Sequence, residues 1–212
     1  GLAHLVGHPS FSVLDAASAS IGDDGLKTLS KIPKMRAIGL RRTDVSDAGV
    51  EHLTKLKNLV DIDLRFTNIG HEGAVHLAKI KSLRAVKLQE SKITDESVAL
   101  LAKLPKLENI NLSKMTQLTD KSLEALKDCK TLKTIEFENC ANITGELEEG
   151  ERLKHLAGLT NVTYLNTRFN FVTGPDLAHI ADMKKMTKLA LRETVVNDAG
   201  LEHLLGMKGL QI

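Results

Sequence analysis

Aromatic side chains are scarce in this sequence. Its 212 residues include five Phe, one Tyr and no Trp, whereas 42% of the residues are hydrophobic. A buried core must therefore be built mainly from aliphatic side chains. No uncharged apolar run reaches the roughly 18 residues that a membrane-spanning helix requires, so we expect no membrane span.

An excess of charge of one sign is also lacking, because 29 basic side chains balance 27 acidic ones and leave a net charge of +2. This balance gives no bulk attraction to nucleic acid or to an anionic membrane, and we expect no nucleic-acid partner. The two cysteines, Cys129 and Cys140, are too few for a disulfide framework, so we expect free, packed thiols. The compartment stays open, with the cytoplasm favoured.

Motifs that carry catalysis are missing as well. The sequence has no Gly-rich phosphate loop, H-E-x-x-H, paired C-x-x-C or G-x-S-x-G. Six of the eight histidines recur at one helical position, at His4, His52, His76, His155, His179 and His203. Zinc binds nitrogen at about 2.0–2.1 Å, whereas packed helices stand about 10 Å apart, so histidines on neighbouring helices should not share an ion. We expect no catalytic residue, no metal site, no cofactor and no enzymatic activity.

The sequence does contain an internal repeat. One apolar string recurs from Phe11 at Met35, Leu59, Leu83, Leu107, Leu132, Val162, Met186 and Leu210. The spacing is 24 residues, except for 25 before Leu132 and 30 before Val162. We therefore predict a single domain over residues 1–212, with eight full repeats that start at 11, 35, 59, 83, 107, 132, 162 and 186 and a partial repeat at each end.

Each repeat combines two periodicities. Ile62 and Leu64 alternate with polar residues, which predicts a short strand with one buried face. Apolar residues then recur every third position, as in residues 50–56, which predicts a helix. Asp47 and Asp95 precede two of these helices and are predicted to be their N-caps.

This pattern resembles the leucine-rich repeat family over nearly the whole chain. The turn strings at residues 45–50, 93–95, 118–120 and 196–201 are similar to those of the cysteine-containing, ribonuclease-inhibitor-like subclass, which occurs in substrate receptors of ubiquitin ligases and, in similar form, in bacterial proteins. Cys140, followed by Asn142-Ile143-Thr144, matches the cysteine position of that subclass. The other repeats depart from it, with Thr43, Thr67, Ser91, Met115, Asn170 and Thr194 at that position.

A single repeat cannot bury its own apolar face, so the repeats must stack. Strands stack about 4.8 Å apart and helices about 10 Å apart, which bends the array toward its strands. We predict an α/β fold, a right-handed leucine-rich repeat solenoid shaped like a horseshoe. Its parallel β-sheet should line the concave face and its short α-helices the convex face.

Two irregularities interrupt the repeat. The unit from Leu132 to Val162 carries an insertion near residues 145–151, a predicted acidic surface loop that is either tolerated or functional. The chain also starts inside a helix, because Gly1–Leu5 matches Gly200–Leu204, and it ends inside a strand. Neither end has the polar capping repeat of a solenoid, so we expect a fragment or a protein that makes end-on contacts through its uncapped terminal repeats.

The concave face holds the candidate binding residues. Its polar side chains form columns with about 4.8 Å between neighbours, which places Asp63 beside Lys87 and Glu138 beside Arg168. The like-charged pairs Arg41–Arg65 and Arg168–Arg192 either repel weakly in water without a role or await an acidic group. Phe66 and Phe169 either turn inward or form interface anchors with the adjacent arginines. The predicted partner-binding residues are Arg41, Arg65, Phe66, Lys87, Glu136, Glu138, Tyr164, Arg168, Phe169 and Arg192.

The sequence thus predicts a non-catalytic interaction module that binds a protein or peptide on a preorganised concave sheet. The alternative is a targeting or regulatory segment of a larger enzyme, similar to a ubiquitin-ligase substrate receptor or to a bacterial multidomain protein.

Overall fold

The computed structural model describes residues 1–145 and 147–211. The contacts of the chain divide it into two compact units, Gly1–Leu107 and Glu108–Ile212. Glu146, in the predicted acidic loop, and Ile212, in the last partial repeat, lie outside the described residues. The single domain over residues 1–212 stays a prediction.

Strands and helices alternate along both units. The described residues form eight strands, β1 Val13–Asp15, β2 Ala37–Gly39, β3 Asp61–Asp63, β4 Ala85–Lys87, β5 Asn109–Asn111, β6 Thr134–Glu136, β7 Tyr164–Asn166 and β8 Lys188–Ala190. The same residues form seven α-helices, α1 Asp23–Leu29, α2 Asp47–Leu53, α3 His71–Leu77, α4 Asp95–Leu101, α5 Asp120–Leu126, α6 Ala141–Gly145 and α7 Asp198–Leu201. Short 3₁₀ helices occupy Leu2–Leu5, Lys154–Leu156, Pro175–Ile180 and Glu202–Leu204.

All strand pairs within each unit are parallel and join consecutive repeats. In the first unit Ile38 pairs with Ile62, and Ile62 with Val86. In the second unit Ile135 pairs with Leu165, and Leu165 with Leu189. The predicted α/β solenoid of strand–turn–helix coils is thereby confirmed.

The core is aliphatic, as the composition requires. Every apolar position of the predicted frame is buried in the repeat that begins at Leu59, including Ile62, Leu64 and Leu77. Phe137 is fully buried as well, whereas the other five aromatic side chains are partly or wholly exposed. Burial of these columns of leucine and isoleucine against the neighbouring coils is the main stabilising contribution.

A left-handed corner follows every strand. Eight residues at equivalent positions have φ between 54° and 60°, namely Ser18, Arg42, Phe66, Glu90, Lys114, Asn139, Phe169 and Glu193. This conformation costs a residue other than glycine about 1–2 kcal/mol, so it persists because the stacked coils impose it. The side chain at this corner points away from the core. Seven of the eight residues are exposed, and Phe66 is half-buried.

The residue that follows the corner forms a side-chain hydrogen bond to a backbone carbonyl in several repeats. Thr43 Oγ1 donates to the Leu40 carbonyl and Thr67 Oγ1 to the Leu64 carbonyl, both at 2.6 Å. In the second unit Cys140 Sγ donates to the Leu112 carbonyl of the preceding repeat at 3.1 Å. These bonds satisfy carbonyls that the strands leave unpaired. The repeat with the buried Met115 at this position has no side-chain donor there, so the bond is a common feature of the turn and not a requirement.

The helix starts differ from the sequence prediction by one residue. Helices α2 and α4 begin at Asp47 and Asp95, so these aspartates are first helical residues and the N-caps are Ser46 and Thr94. Asp47 Oδ1 instead accepts a hydrogen bond from the Gly70 N–H of the next repeat at 2.7 Å. The side chain is positioned for the neighbouring coil, because a parallel solenoid stacks each helix start over the next.

The acidic insertion is anchored at its carboxyl end. Asp176 is fully buried and accepts hydrogen bonds from the backbone N–H groups of Arg152 and Thr173, at 2.9 and 2.8 Å. His179 Nε2 lies 2.6 Å from the Gly150 carbonyl oxygen. Glu148, Glu149 and Glu151 remain exposed. The insertion therefore contacts the following repeat while it keeps these carboxylates in solvent.

The substitution Gly73→Ala tests how closely the helix starts of neighbouring repeats are stacked. A Cβ atom there would overlap Asp47 Oδ1 and lie 2.7 Å from Ile69 Cγ2. Helix propensity alone would make Gly73→Ala stabilising by about 1 kcal/mol. We expect destabilisation by about 1–3 kcal/mol instead, because the added methyl overpacks the contact between repeats.

Urea unfolding followed by circular dichroism measures this effect. Gly22→Ala is the control, because a Cβ atom at Gly22 meets nothing closer than the Asp44 carbonyl at 3.8 Å. A Gly73→Ala protein as stable as the wild type would show that the helix starts are not closely stacked.

Candidate functional site

The outward side chains of the strands and of the left-handed corners form what we call the strand face, which we describe separately for each unit. In the first unit this face is rich in arginine and aspartate. Asp63 and Arg65, two residues apart, point to the same side of β3 because side chains alternate along a strand. Arg65 Nε donates to Asp63 Oδ1 at 2.8 Å, and Arg65 Nη2 to Oδ2 at 2.6 Å.

The environment of Asp63 favours its ionised form. Burial by itself raises the pKa of the carboxyl, but the side-chain and backbone hydrogen bonds from Arg65 outweigh it, and the pKa is lowered below its ordinary value. Asp63 Oδ1 also accepts from the Arg65 N–H at 3.2 Å. The same local bond recurs at the end of other strands, from Ser113 N to Asn111 and from Arg168 N to Asn166. Aspartate and asparagine in this column thus close the strand.

Lys87 forms an ion pair that differs from the one predicted. Its Nζ lies 3.2 Å from Asp61 Oδ1, whereas the column pattern predicted Asp63 as its neutralising neighbour. Asp63 and Lys87 are register partners, and Lys87 also lowers the pKa of Asp63. Because Arg65 already binds both carboxylate oxygens of Asp63, Lys87 contacts the Asp61 carboxylate instead.

Phe66 is half-buried at the left-handed corner, and the guanidinium of Arg42 lies over it, with 4.7 Å from Arg42 Cζ to the ring centroid. Arg42 occupies the same corner one repeat earlier. Arg41, which the sequence places beside Arg65, is half-buried. Its guanidinium makes no hydrogen bond or ion pair with any residue that the structure describes.

In the second unit, aromatic rings and cations alternate on the strand face. Tyr164 and Lys188 are register partners, and Lys188 Nζ lies 4.6 Å from the Tyr164 ring centroid. Phe169 is 42% exposed, and Arg192 Cζ lies 5.7 Å from its ring centroid. Of the two orientations that the sequence allows for Phe169, the structure has the outward one, because the left-handed corner turns the ring away from the core.

Glutamates lie next to this aromatic group. Burial raises the pKa of Tyr164, and the Glu136 carboxylate raises it further. Asn166 Nδ2 donates to Glu138 Oε2 at 3.0 Å, so Glu138 bonds to the amide in preference to the predicted Arg168. Arg168 Nε is buried and has no hydrogen-bond partner among the described residues.

Sequence reasoning missed three residues of the strand face, Asp61, Arg42 and Lys188. A signal for each was present. Asp61 and Lys188 belong to the first outward column of the strands, and Arg42 to the corner column that also holds Phe66 and Phe169. The sequence prediction followed the second and third outward columns in full, and from the first column and the corner column it selected only the aromatic residues Tyr164, Phe66 and Phe169.

Metal ligands and reactive thiols are the remaining candidates for chemistry. Across residues 1–145 and 147–211, no three histidine, cysteine, aspartate or glutamate side chains are grouped as a metal site would require. Cys129 and Cys140 are free and buried. Burial raises the pKa of the Cys140 thiol to about 11, which keeps it protonated and poorly nucleophilic at neutral pH. Within the same residues, no helix has the length and apolar character that crossing a membrane requires.

Residues 55–78 match the family model described as a leucine-rich repeat. The fold is a leucine-rich-repeat solenoid. No curated protein is significantly similar to the chain in sequence.

Solved structures with this fold are numerous. An internalin from Listeria monocytogenes is 16% identical, with a TM-score of 0.61 over 100% of this chain and 69% of the internalin chain. A leucine-rich-repeat protein from Leptospira interrogans is 19% identical, with a TM-score of 0.65 over 95% of this chain and 54% of its own. TLR13 in complex with ssRNA13 is 17% identical, with a TM-score of 0.62 over 99% of this chain and 29% of its own. Because these sequence identities are low, the similarity to the three structures shows a shared fold and nothing further.

The ion pair between Asp63 and Arg65 predicts a specific pH dependence. Because the pKa of Asp63 is lowered by folding, its stabilising contribution is present above the ordinary pKa of aspartate and is lost as the pH falls through the lower folded-state pKa. Asp63→Asn should therefore cost about 1 kcal/mol at pH 7 and clearly less at pH 2.

Urea titrations of both proteins at the two pH values test this prediction. Asp24→Asn, at an exposed helix start, is the control and should show little difference. Equal losses for Asp63→Asn at pH 7 and pH 2 would contradict the proposed contribution of the ionised pair.

Proposed function

We propose that this leucine-rich-repeat chain is a non-catalytic module that binds a protein or peptide through its strand face. The observation that carries the proposal is the outward Phe169, 42% exposed beneath Arg192 in a fold whose core is aliphatic. An exposed aromatic ring adjacent to arginine is the composition of a binding hot spot. Nothing in the packing of the core requires the ring at this position.

Preorganisation supports the same proposal. The left-handed corner holds Phe169, the strand register holds Tyr164 against Lys188, and the bidentate ion pair holds Arg65. Side chains that are ordered before binding lose little conformational entropy when a partner docks. The guanidinium of Arg41 is half-buried and makes no hydrogen bond or ion pair with a described residue, so a carboxylate of a partner would accept hydrogen bonds from its donors.

Two finer assignments belong to this proposal. We assign the chain to the ribonuclease-inhibitor-like subclass on the strength of Cys140, whose thiol donates to the preceding repeat at the cysteine position. We also favour a protein over a nucleic acid, because Glu136, Glu138, Asp61 and Asp63 interrupt the cations of the strand face and would repel a phosphate backbone.

The targeting or regulatory segment of a larger enzyme is compatible with the same binding surface. It differs by requiring a catalytic domain encoded in the same open reading frame. Determination of the full reading frame separates the two proposals, since a frame without any catalytic domain would exclude the enzyme alternative.

Phe169→Ala is the substitution that tests the strand face. With the purified chain immobilised, partners captured from the source organism are identified by mass spectrometry, and the affinity of the purified partner is then measured. We expect Phe169→Ala to weaken that affinity at least tenfold, a loss of about 1.4 kcal/mol or more. Arg41→Glu tests the first unit in the same way.

Phe171→Ala is the matched control, because Phe171 is also exposed, at 54%, and lies beyond the corner, against Gly145. It should leave the affinity within about twofold. If a partner binds the Phe169→Ala and Arg41→Glu proteins as tightly as the wild type, the strand face is not its binding surface.

A further inference from the structure

A second, strongly basic surface lies along the edge of the first unit at which its strands begin. The segments that lead into successive strands line a groove of 610 Å³ there. Its lining includes Lys34, Arg36, Lys57, Asn58, Arg84 and Lys106, which we call the basic groove. No aspartate or glutamate is among the described residues that line it. The sequence prediction did not identify this edge as a binding surface.

Three cations of the basic groove, Lys34, Arg36 and Lys57, keep donors that a ligand could use. Arg36 and Lys57 are exposed and form no ion pair with a described residue. Lys34 Nζ donates one hydrogen bond to the Pro9 carbonyl at 2.8 Å and retains two further donors. The chain as a whole carries a net charge of only +2, so the positive charge along this edge is a local feature.

The floor of the groove is already hydrogen-bonded. The Ser12 carbonyl accepts from the N–H groups of Arg36 and Ala37, and the Arg36 carbonyl accepts from those of Val60 and Asp61. Asn58 Nδ2 donates to the Pro33 carbonyl at 2.9 Å. A ligand therefore cannot be recognised by strand addition to this backbone, and the protruding cationic side chains must recognise it.

The dimensions of the groove favour an extended ligand. Four consecutive strands, β1 to β4, stack about 4.8 Å apart, so this edge extends over roughly 14 Å. Four residues of an extended peptide cover about the same length at 3.3 Å each. A single phosphate or carboxylate would contact only one part of it.

The lining also distinguishes a peptide from a nucleic acid. Proteins that bind single-stranded nucleic acid stack bases on aromatic side chains, and no aromatic residue is among the described residues of the groove. Ser10, Ser12, Asn58 and Ser82 instead supply small polar groups between the cations. Carboxylates of an acidic peptide would match this alternation of ammonium or guanidinium groups with hydroxyl and amide groups.

We infer that the basic groove binds an acidic, extended segment of a protein partner. This surface is separate from the strand face, so a partner with an acidic tail would be held at two places on the same chain. Binding at one of these two places raises the effective concentration of the partner at the other.

Fluorescence anisotropy with labelled octaglutamate, on the full 212-residue chain in 0.15 M salt, tests the inference. We expect saturable binding that the Arg36→Glu/Lys57→Glu double variant weakens at least tenfold. The neutral Arg36→Gln/Lys57→Gln variant should weaken it in the same direction, and it replaces the charge reversal if that variant fails to fold. Lys31→Glu/Lys55→Glu changes the charge equally at exposed positions outside the groove and should retain binding within twofold.

Several outcomes would overturn the inference. They are an absence of saturable octaglutamate binding, an equal loss in the Lys31→Glu/Lys55→Glu control, or tighter, groove-dependent binding of labelled octauridylate RNA. Displacement of the peptide by inorganic triphosphate at equal concentration would assign the groove to small phosphate-containing anions. Arg41→Glu, on the strand face, should leave octaglutamate binding unchanged, so the result is independent of the function proposed for that face.

Discussion

The stacking of one repeat on the next is the constraint from which the remaining features of this chain follow. A 24-residue coil with three strand residues and a two-turn helix has one apolar side and cannot bury it alone. Burial requires the next coil to lie in register, and the register then repeats every side chain at nearly the same place. The result is a set of columns, some of which are wholly buried and others wholly outward.

The columns bring equivalent side chains of successive repeats together into a continuous surface. In one column Asp63, Asn111 and Asn166 each accept a hydrogen bond from the backbone N–H two residues further on. These side chains, which could otherwise bind a ligand, therefore stabilise the end of the strand. In the corner column the left-handed conformation directs side chains outward, whether they are Phe169 or Arg42. Binding residues on a solenoid are therefore defined by column as much as by residue type.

The same register explains why the glycines in two of the helix starts are constrained. Gly73 and Gly49 lie under an aspartate of the preceding helix start, whose carboxylate occupies the space that a Cβ atom would need. Both glycines lie inside their helices, so the close contact between repeats, and not a turn, is what requires a residue without a Cβ atom.

Much of the fold was predictable from the sequence because the burial of Ile62, Leu64 and their equivalents depends only on periodicity, which is visible in one dimension. The positions of strands and helices follow from that pattern, as does the parallel register within each unit. The outward location of Arg65 and Tyr164 follows as well, since side chains alternate along a strand. Helix starts were displaced by one residue, because Ser46 and Asp47 are both acceptable N-caps and the contact with the next coil decides between them.

The sequence by itself determined the repeat, the aliphatic core and the columns that face solvent, since each depends on the spacing of apolar residues along one chain. The tertiary structure decided which charges pair, as in Lys87 with Asp61, and that Phe169 faces outward under Arg192. It alone brought Lys34, Arg36 and Lys57 into one groove. Such contacts join residues of different coils through particular rotamers and loop conformations, and a linear pattern carries no information about either.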